Sequence, residues 1–427
     1  MDYFKGIIGL LVFMLVGYLV SNNRKAINWR LVGIGITLQI VFGLLIMKVP
    51  FVRDMFDAVS TGFVRFLDFA LDGSKFLFGD LANDKSSFGF IFAFQVLPTI
   101  IFFSTISAAL YYLGILQKIV YAIAYVMSKA MGLSGPESLS AAGNIFLGQT
   151  EAPLLVKPFI KNMTKSELMC LMTGGMATIA GAILAAAVGV LGGADPVAKA
   201  KFASHLLSAS IMSAPAAIVM AKIMIPETKD VNKSLELSKE SLGVNLIDAM
   251  AIGAGDGLKL ALNVGGMLLA FIAVIAMLNA GLIYIGDVLD VNQIIRVQTG
   301  GAFKALSMEY LLGQISRPFA YLMGVEWKDT LLVGSLIGQK TAVNEFVAYL
   351  DLARMIKEGS LSEKSILVST YALCGFSNFS SIAIQIGGIS GMAPNQQGNL
   401  SKLGLRALLG ATLACFMTAT IAGAISG

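Results

Sequence analysis

The chain has 427 residues, of which 56% are hydrophobic and only 13% charged, and its mean hydropathy of +0.78 excludes an ordinary soluble domain and reads as a polytopic membrane protein. The net charge of +5 comes from 31 Lys+Arg against 26 Asp+Glu. These basic residues are scattered through loops, which argues against the clustered stripe that a nucleic-acid partner requires.

Runs of about 20 apolar residues fall at roughly 6–21, 31–48, 90–113, 168–192, 205–225, 258–285, 365–390 and 403–425, eight expected spans in all. The first run is followed, not preceded, by Arg24 and Lys25 and has no small-residue cleavage site, so it reads as a transmembrane helix and not a removable signal. Between the second and third spans, Val52, Met55, Phe56, Val59, Phe63, Phe66, Leu67 and Ala70 recur at helical spacing opposite Arg53, Asp54, Asp57, Arg65 and Asp68. That pattern predicts an interfacial helix. Two further apolar regions, about 134–162 and 329–351, are interrupted midway by glycine and polar residues, as suits re-entrant helical hairpins whose tips stop inside the membrane. His205, the single histidine, is expected at a helix end, and Cys170, Cys374 and Cys415, without CxxC spacing, as buried structural thiols. The Pro226 to Asn245 segment reads as a solvated linker, and Leu306 to Met323 as a second amphipathic stretch.

On either side of the linker the order hairpin, span, span occurs twice, over about 134–225 and 329–425. An odd number of full crossings separates the hairpins, so the copies form the inverted repeat common in secondary transporters. The basic residues Arg24, Lys25, Arg30, Lys157, Lys161, Lys165, Lys402 and Arg406 share one side of this topology. The positive-inside rule then places both termini outside.

The chemistry gathers in three places. Gly148-Gln149-Thr150-Glu151-Ala152-Pro153 sits in the first hairpin, Asn344 and Glu345 in the second, and Gly375-Phe376-Ser377-Asn378-Phe379-Ser380-Ser381 in the seventh span. Unpaired polar groups cost several kcal/mol in hydrocarbon, so such clusters survive only around a cavity or within protein. The density of polar residues in the seventh span predicts an unwound segment, and Thr178 in the fourth span echoes Ser381. A set of carboxylates, amides and hydroxyls suits a neutral, hydroxyl-rich, amide-bearing solute. The other reading of Glu345 is a structural ion pair with Lys340.

Gly148-Gln149-Thr150-Glu151-Ala152-Pro153, Asn344-Glu345-Phe346-Val347-Ala348-Tyr349 and Cys374-Gly375-Phe376-Ser377-Asn378 resemble, in order and along the whole chain, the signatures of the concentrative nucleoside transporters in a bacterial form of eight spans. The resemblance implies an all-α multi-pass protein of the cell (inner) membrane, a homotrimer without enzymatic activity, moving nucleoside with a cation by an elevator-type cycle. Sodium is the favoured coupling ion, a proton the alternative, and no cofactor is implied. It divides the chain into scaffold (1–131 and 226–328) and a transport domain built from both repeats (132–225 and 329–427). By motif, Gly148, Gln149, Thr150 and Glu151 would address the nucleobase, with Ile183 bearing on base selectivity. Glu345, Asn378 and Ser381 would hold the ribose, and Phe376 would pack against the solute. The implied sodium site takes the side chains of Asn144 and Thr178 and the carbonyls of Leu147 and Ile179, an all-oxygen shell suited to a hard ion.

Two rival classes are weaker. Gly253-Ala254-Gly255-Asp256 matches the GxGD pattern of intramembrane aspartyl proteases, but no second mid-span aspartate accompanies it to share a proton. A channel would need polar residues along a continuous path, not gathered at two hairpin tips and one broken helix.

Overall fold

The computed structural model describes residues 2–82, 91–237 and 242–426, so Phe90 of the expected third span and residues 238–241 of the linker lie outside the described residues. The described chain is all helical, with no strand among those residues. It opens with α1 (Asp2–Leu19), α2 (Trp29–Lys48), α3 (Pro50–Phe78), the single turn α4 (Phe92–Gln95), α5 (Leu97–Tyr112) and α6 (Ile115–Met131). Pro50 starts α3, where its missing N–H costs nothing. That helix buries Ser60, Val64, Leu67, Ala70 and Ser74 and leaves Phe51, Phe69 and Phe76 exposed. It is the expected interfacial helix, longer by two turns because the same periodicity continues to Phe78. The sequence reading did not place α6, which buries Leu116, Val120, Ala124, Met127 and Met131 but whose apolar run is interrupted by the exposed Lys118 and Lys129.

The first repeat follows. Helix α7 (Gly135–Gly143) begins in a capping box, where Ser134 Oγ accepts the Glu137 N–H at 3.2 Å and Glu137 returns a bond to the Ser134 N–H. It stops at Asn144, and the chain returns through a 3-10 turn at Ala152–Val156 and the single turn α8 (Lys157–Ile160). The fourth span was expected to run unbroken over 168–192. It is instead two half-helices, α9 (Lys165–Ala177) and α10 (Gly181–Gly192), parted by extended backbone at Thr178. The Gly181 N–H, freed by the break, donates to the Phe146 carbonyl of the hairpin tip at 3.0 Å. Helix α11 (Pro196–Met224) crosses unbroken. His205 lies in its third turn and not at its end, with its ring 5.8 Å from that of Tyr371.

Helices α12 (Leu246–Val288), α13 (Val291–Gln298) and α14 (Met308–Leu322) lead to the second repeat: α15 (Thr330–Ala342) and α16 (Glu345–Lys357) as the hairpin, α17 (Glu363–Leu373) and α18 (Phe379–Met392) as a broken span, and α19 (Gln397–Ser426) unbroken. The two repeats thus share one order: hairpin, broken span, continuous span. Their breaks meet. Gly375 has φ +111°, a region that disfavours any side chain, and a Cβ there would stand 2.7 Å from the Ala177 backbone. Counting each broken pair as one, eight helical segments occupy the positions of the eight expected spans.

The sixth span was expected over 258–285; α12 is longer at its N-terminal end because Asp248, Asp256 and Lys259 interrupt its hydropathy without interrupting its helix. Its buried stripe, Ala249, Gly253, Gly257, Ala261, Val264 and Leu268, packs on α5. A Cβ at Gly253 would stand 2.5 Å from Ala108 Cβ, and one at Gly257 2.8 Å from Ile101 Cα.

The described residues of the linker before residue 238 form no helix, and they are held against the protein. The Asn232 carbonyl accepts the Gly135 N–H at 2.8 Å, and Leu235 and Leu237 pack against the core. Beside it lies a buried ionic cluster: the Lys222 ammonium of α11 pairs with Glu137 of α7, donates to Ser166 Oγ at 2.9 Å, and has Glu227 at 4.0 Å. One cation therefore ties the base of the first hairpin to both following spans.

Candidate functional site

The site assembles where both hairpin tips meet the seventh-span break. Asn344 caps α16, its Oδ1 accepting the Val347 N–H at 3.0 Å, which makes Glu345 the first residue of that helix. Glu345 Oε2 accepts a bond from Asn378 Nδ2 at 2.9 Å. Asn378 in turn restarts the broken span by capping α18: its Oδ1 accepts the Ser381 N–H at 2.9 Å and the Ser380 hydroxyl at 2.7 Å. From the first hairpin, Gln149 Nε2 donates to Ser381 Oγ at 3.1 Å, and Gln149 Oε1 accepts from Gln385 Nε2 at 3.2 Å. A continuous chain of hydrogen bonds so joins the second hairpin, the broken span and the first hairpin.

These residues face one cavity. Gly148, Gln149, Thr150, Ile183, Glu345, Phe376, Asn378 and Ser381 all line it, with Asn344, Ser380 and the aromatic Phe346, and with Leu260, Val264 and Met267 of α12 closing the remaining wall. Carboxylate, amide and hydroxyl groups share its lining with apolar and aromatic side chains. A few convergent polar groups in an otherwise apolar concavity make a small-molecule site, and this mixture matches a solute with a hydroxylated part and a flat part.

Glu151 is the exception among the residues expected to address a solute. The Gly148 to Glu151 turn folds its carboxylate back onto the Gly148 N–H, at 3.0 Å, and the side chain lines a second cavity with Ser104, Ser107, Tyr111 and Asp256. Lys340 does not form the ion pair weighed for Glu345: its ammonium donates to the Ala372 carbonyl at 2.9 Å, near the end of α17. Gln385 was missed by the sequence reading. The available signal was a lone amide one helical turn beyond Ser381 in an apolar span.

Two of the four residues expected to hold an ion, Asn144 and Thr178, meet at Gly174. Thr178 Oγ1 donates to the Gly174 carbonyl at 2.9 Å, and a Cβ on Gly174 would stand 3.1 Å from Asn144 Nδ2. Asn144 is 1% exposed, and neither its amide oxygen nor its nitrogen has a hydrogen-bond partner. Leu147 and Ile179 are buried on the tip and the break on either side. A buried polar group left unpaired costs about 1–3 kcal/mol, and a cation held by oxygen ligands at this point would satisfy the Asn144 amide oxygen.

Family models match most of the chain: Na+ dependent nucleoside transporter N-terminus over residues 8–81, Nucleoside recognition over 93–194, and Na+ dependent nucleoside transporter C-terminus over 205–423. The nucleoside permease NupC of Helicobacter pylori is 38% identical over 430 residues, covering 99% of this chain and 97% of that protein. The chain belongs to the concentrative nucleoside transporter family. Human solute carrier family 28 member 3 is 39% identical over 435 residues, although this chain spans only 59% of that relative's length. A solved structure described as CNTnw in an inward-facing substrate-bound state superimposes with a TM-score of 0.90 at 39% identity, over 100% of both chains. A CNTnw variant in an outward-facing state gives 0.88 at 37% identity. The fold is thus that of a transporter seen in both orientations, and the protein is not an enzyme. Asp256 of the GxGD-like segment is an exposed residue of α12 with Lys259 at 3.5 Å.

Proposed function

We propose that the transporter imports nucleosides across the cell (inner) membrane in symport with sodium. The observation that carries this reading is the hydrogen-bonded chain from Glu345 through Asn378 and Ser381 to Gln149 in the lining of a cavity whose other lining residues are largely apolar. Glu345, Asn378 and Ser381 hold the ribose hydroxyls. Gln149 and Thr150 address the base beside Gly148 and Ile183, and Phe376 packs against it; Glu151 acts from behind the tip by fixing the Gly148 backbone. Sodium binds at Asn144 and Thr178 with the carbonyls of Leu147 and Ile179, a reading supported by the unpaired Asn144 amide.

Residues 132–225 and 329–427 move as one transport domain against a scaffold of 1–131 and 226–328. The bonds that tie each hairpin tip to the broken seventh span favour this, because neither tip can leave that span alone without breaking them. The scaffold's α12 leaves Leu262, Leu269, Met277, Tyr284 and Val288 exposed, an apolar surface suited to lipid and to the neighbouring subunits of a homotrimer.

The test is uptake of labelled uridine into proteoliposomes under a sodium or a proton gradient. Sodium should drive accumulation. Thr178→Val and Asn144→Ala should raise the sodium concentration needed for half-maximal uptake by about tenfold, the loss of one or two bonds, and nucleoside affinity at fixed sodium should fall with it through reciprocal linkage. High sodium should partly restore Thr178→Val. Uptake that follows the proton gradient and ignores sodium would overturn the ion assignment.

A further inference from the structure

The half-helix α18 carries a buried amide that neither the solute contacts nor the ion site employs. Gln385 is 1% exposed. Its Nε2 donates both to the Met172 carbonyl at 3.1 Å and to Gln149 Oε1 at 3.2 Å, while its own Oε1 is buried without a partner. Gln149 passes the polarity on, donating from Nε2 to Ser381 Oγ at 3.1 Å.

A main-chain carbonyl can only accept a hydrogen bond, so the Met172 contact fixes which end of the Gln385 amide is the nitrogen. The second proton on that nitrogen faces Gln149, whose amide must then turn its oxygen inward and its nitrogen toward Ser381 and the cavity. One Gln149 N–H is taken by Ser381; the other remains for a solute. The close meeting of the two amides needs space from α9, and Gly175 supplies it. A Cβ there would stand 2.5 Å from Gln385 Nε2 and 3.1 Å from Gln149 Cβ.

We propose that Gln385 is a positioning residue for base selectivity: by holding the Gln149 amide in one of its two orientations, it makes the cavity present an N–H donor, favouring a nucleobase edge that carries an acceptor over one that carries an amino group. The inference rests on the nucleoside reading of the cavity. It concerns which base edge is preferred, and not whether nucleosides bind.

Uridine against cytidine, and inosine against adenosine, each exchange a carbonyl for an amino group at one ring position. Competition by these four nucleosides should be measured in the wild type, Gln385→Leu and Gln385→Glu, with uptake and nucleoside-induced thermal shift as parallel readouts. Gln385→Leu frees the Gln149 amide to turn, so the preference for the carbonyl-bearing member of at least one pair should shrink by roughly 3- to 10-fold, the equivalent of one hydrogen bond. Gln385→Glu has no N–H left for Gln149: with its carboxyl proton given to the Met172 carbonyl, its other oxygen draws Gln149 Nε2 inward and turns the Gln149 oxygen to the cavity, so the preference should pass unity toward the amino-bearing member. Gly175→Ala, which displaces Gln385 without altering either amide, should move the ratio in the direction of Gln385→Leu. In a Gln149→Ala background, Gln385→Leu should leave the ratios unchanged. A merely structural role would weaken all four nucleosides alike, and unchanged ratios in these variants would overturn the proposal. A wild-type protein that binds none of the four would overturn the nucleoside reading instead.

Discussion

Replacing Glu345 with alanine should lower nucleoside uptake by on the order of a hundredfold, because it removes a carboxylate hydrogen bond of about 1.5–3 kcal/mol and leaves Asn378 Nδ2 unpaired in a buried site. The effect should spread beyond one contact, since Asn378 also caps α18 and positions Ser380 and Ser381. Glu345→Gln still accepts from Asn378 and should lose only about tenfold, within the range for exchanging a charged for a neutral acceptor. The same contact makes a prediction for ligands. A site built to bond hydroxyls rejects analogues that lack them, because its own polar atoms are left unpaired. Free uracil and adenine should therefore compete poorly in the wild type, and the gap between uracil and uridine should narrow in Glu345→Ala. Uracil competing as well as uridine in the wild type would remove the ribose assignment.

The second large effect should fall on stability. Glu137→Ala strands the Lys222 ammonium in a buried position with only Ser166 Oγ and the more distant Glu227 for partners. Breaking a buried ion pair from one side costs about 3–5 kcal/mol. Thermal unfolding of the detergent-solubilised protein should register this as a clear drop in Tm. The paired replacement Glu137→Leu with Lys222→Met should recover most of the loss, because no uncompensated charge remains. Uptake per folded molecule should change little in the double variant, since neither residue lines the solute cavity. An unaltered Tm in Glu137→Ala would show that the cluster does not hold the hairpin base.

The sequence exposes what is dense and local. The seventh-span break is visible because Gly375 to Ser381 concentrates polar residues that a lipid-facing helix cannot carry. The fourth-span break at 178–180 is not, because Thr178 is its only polar residue and Ile179 and Ala180 suit a helix well enough. Tertiary partners support that break: the Thr178 hydroxyl turns back to Gly174, and the Gly181 N–H goes to Phe146. The Lys222 and Glu137 pairing joins residues 85 apart, a separation over which one sequence holds no pairing signal. Gln149 and Ser381 could be named as site residues, but the Gln385 relay that orients them depends on the space above Gly175. The turn of Glu151 away from Gln149 and Thr150 likewise follows from a tight bend at Gly148, which the order of residues does not reveal.

Of the residues around the solute cavity, Leu260, Val264 and Met267 alone belong to α12, the helix whose glycine stripe locks it to α5. In a cycle where the two repeats travel together, the polar partners move with the cargo while this wall stays behind. The cargo would then slide along a surface that offers no hydrogen bond, with no polar contact there to be torn away at each step. That makes α12 the point at which the journey can be arrested chemically: in a Leu260→Cys protein, a nucleoside bearing a thiol-reactive arm would be pinned to the stationary wall at whichever stage brings the two within reach.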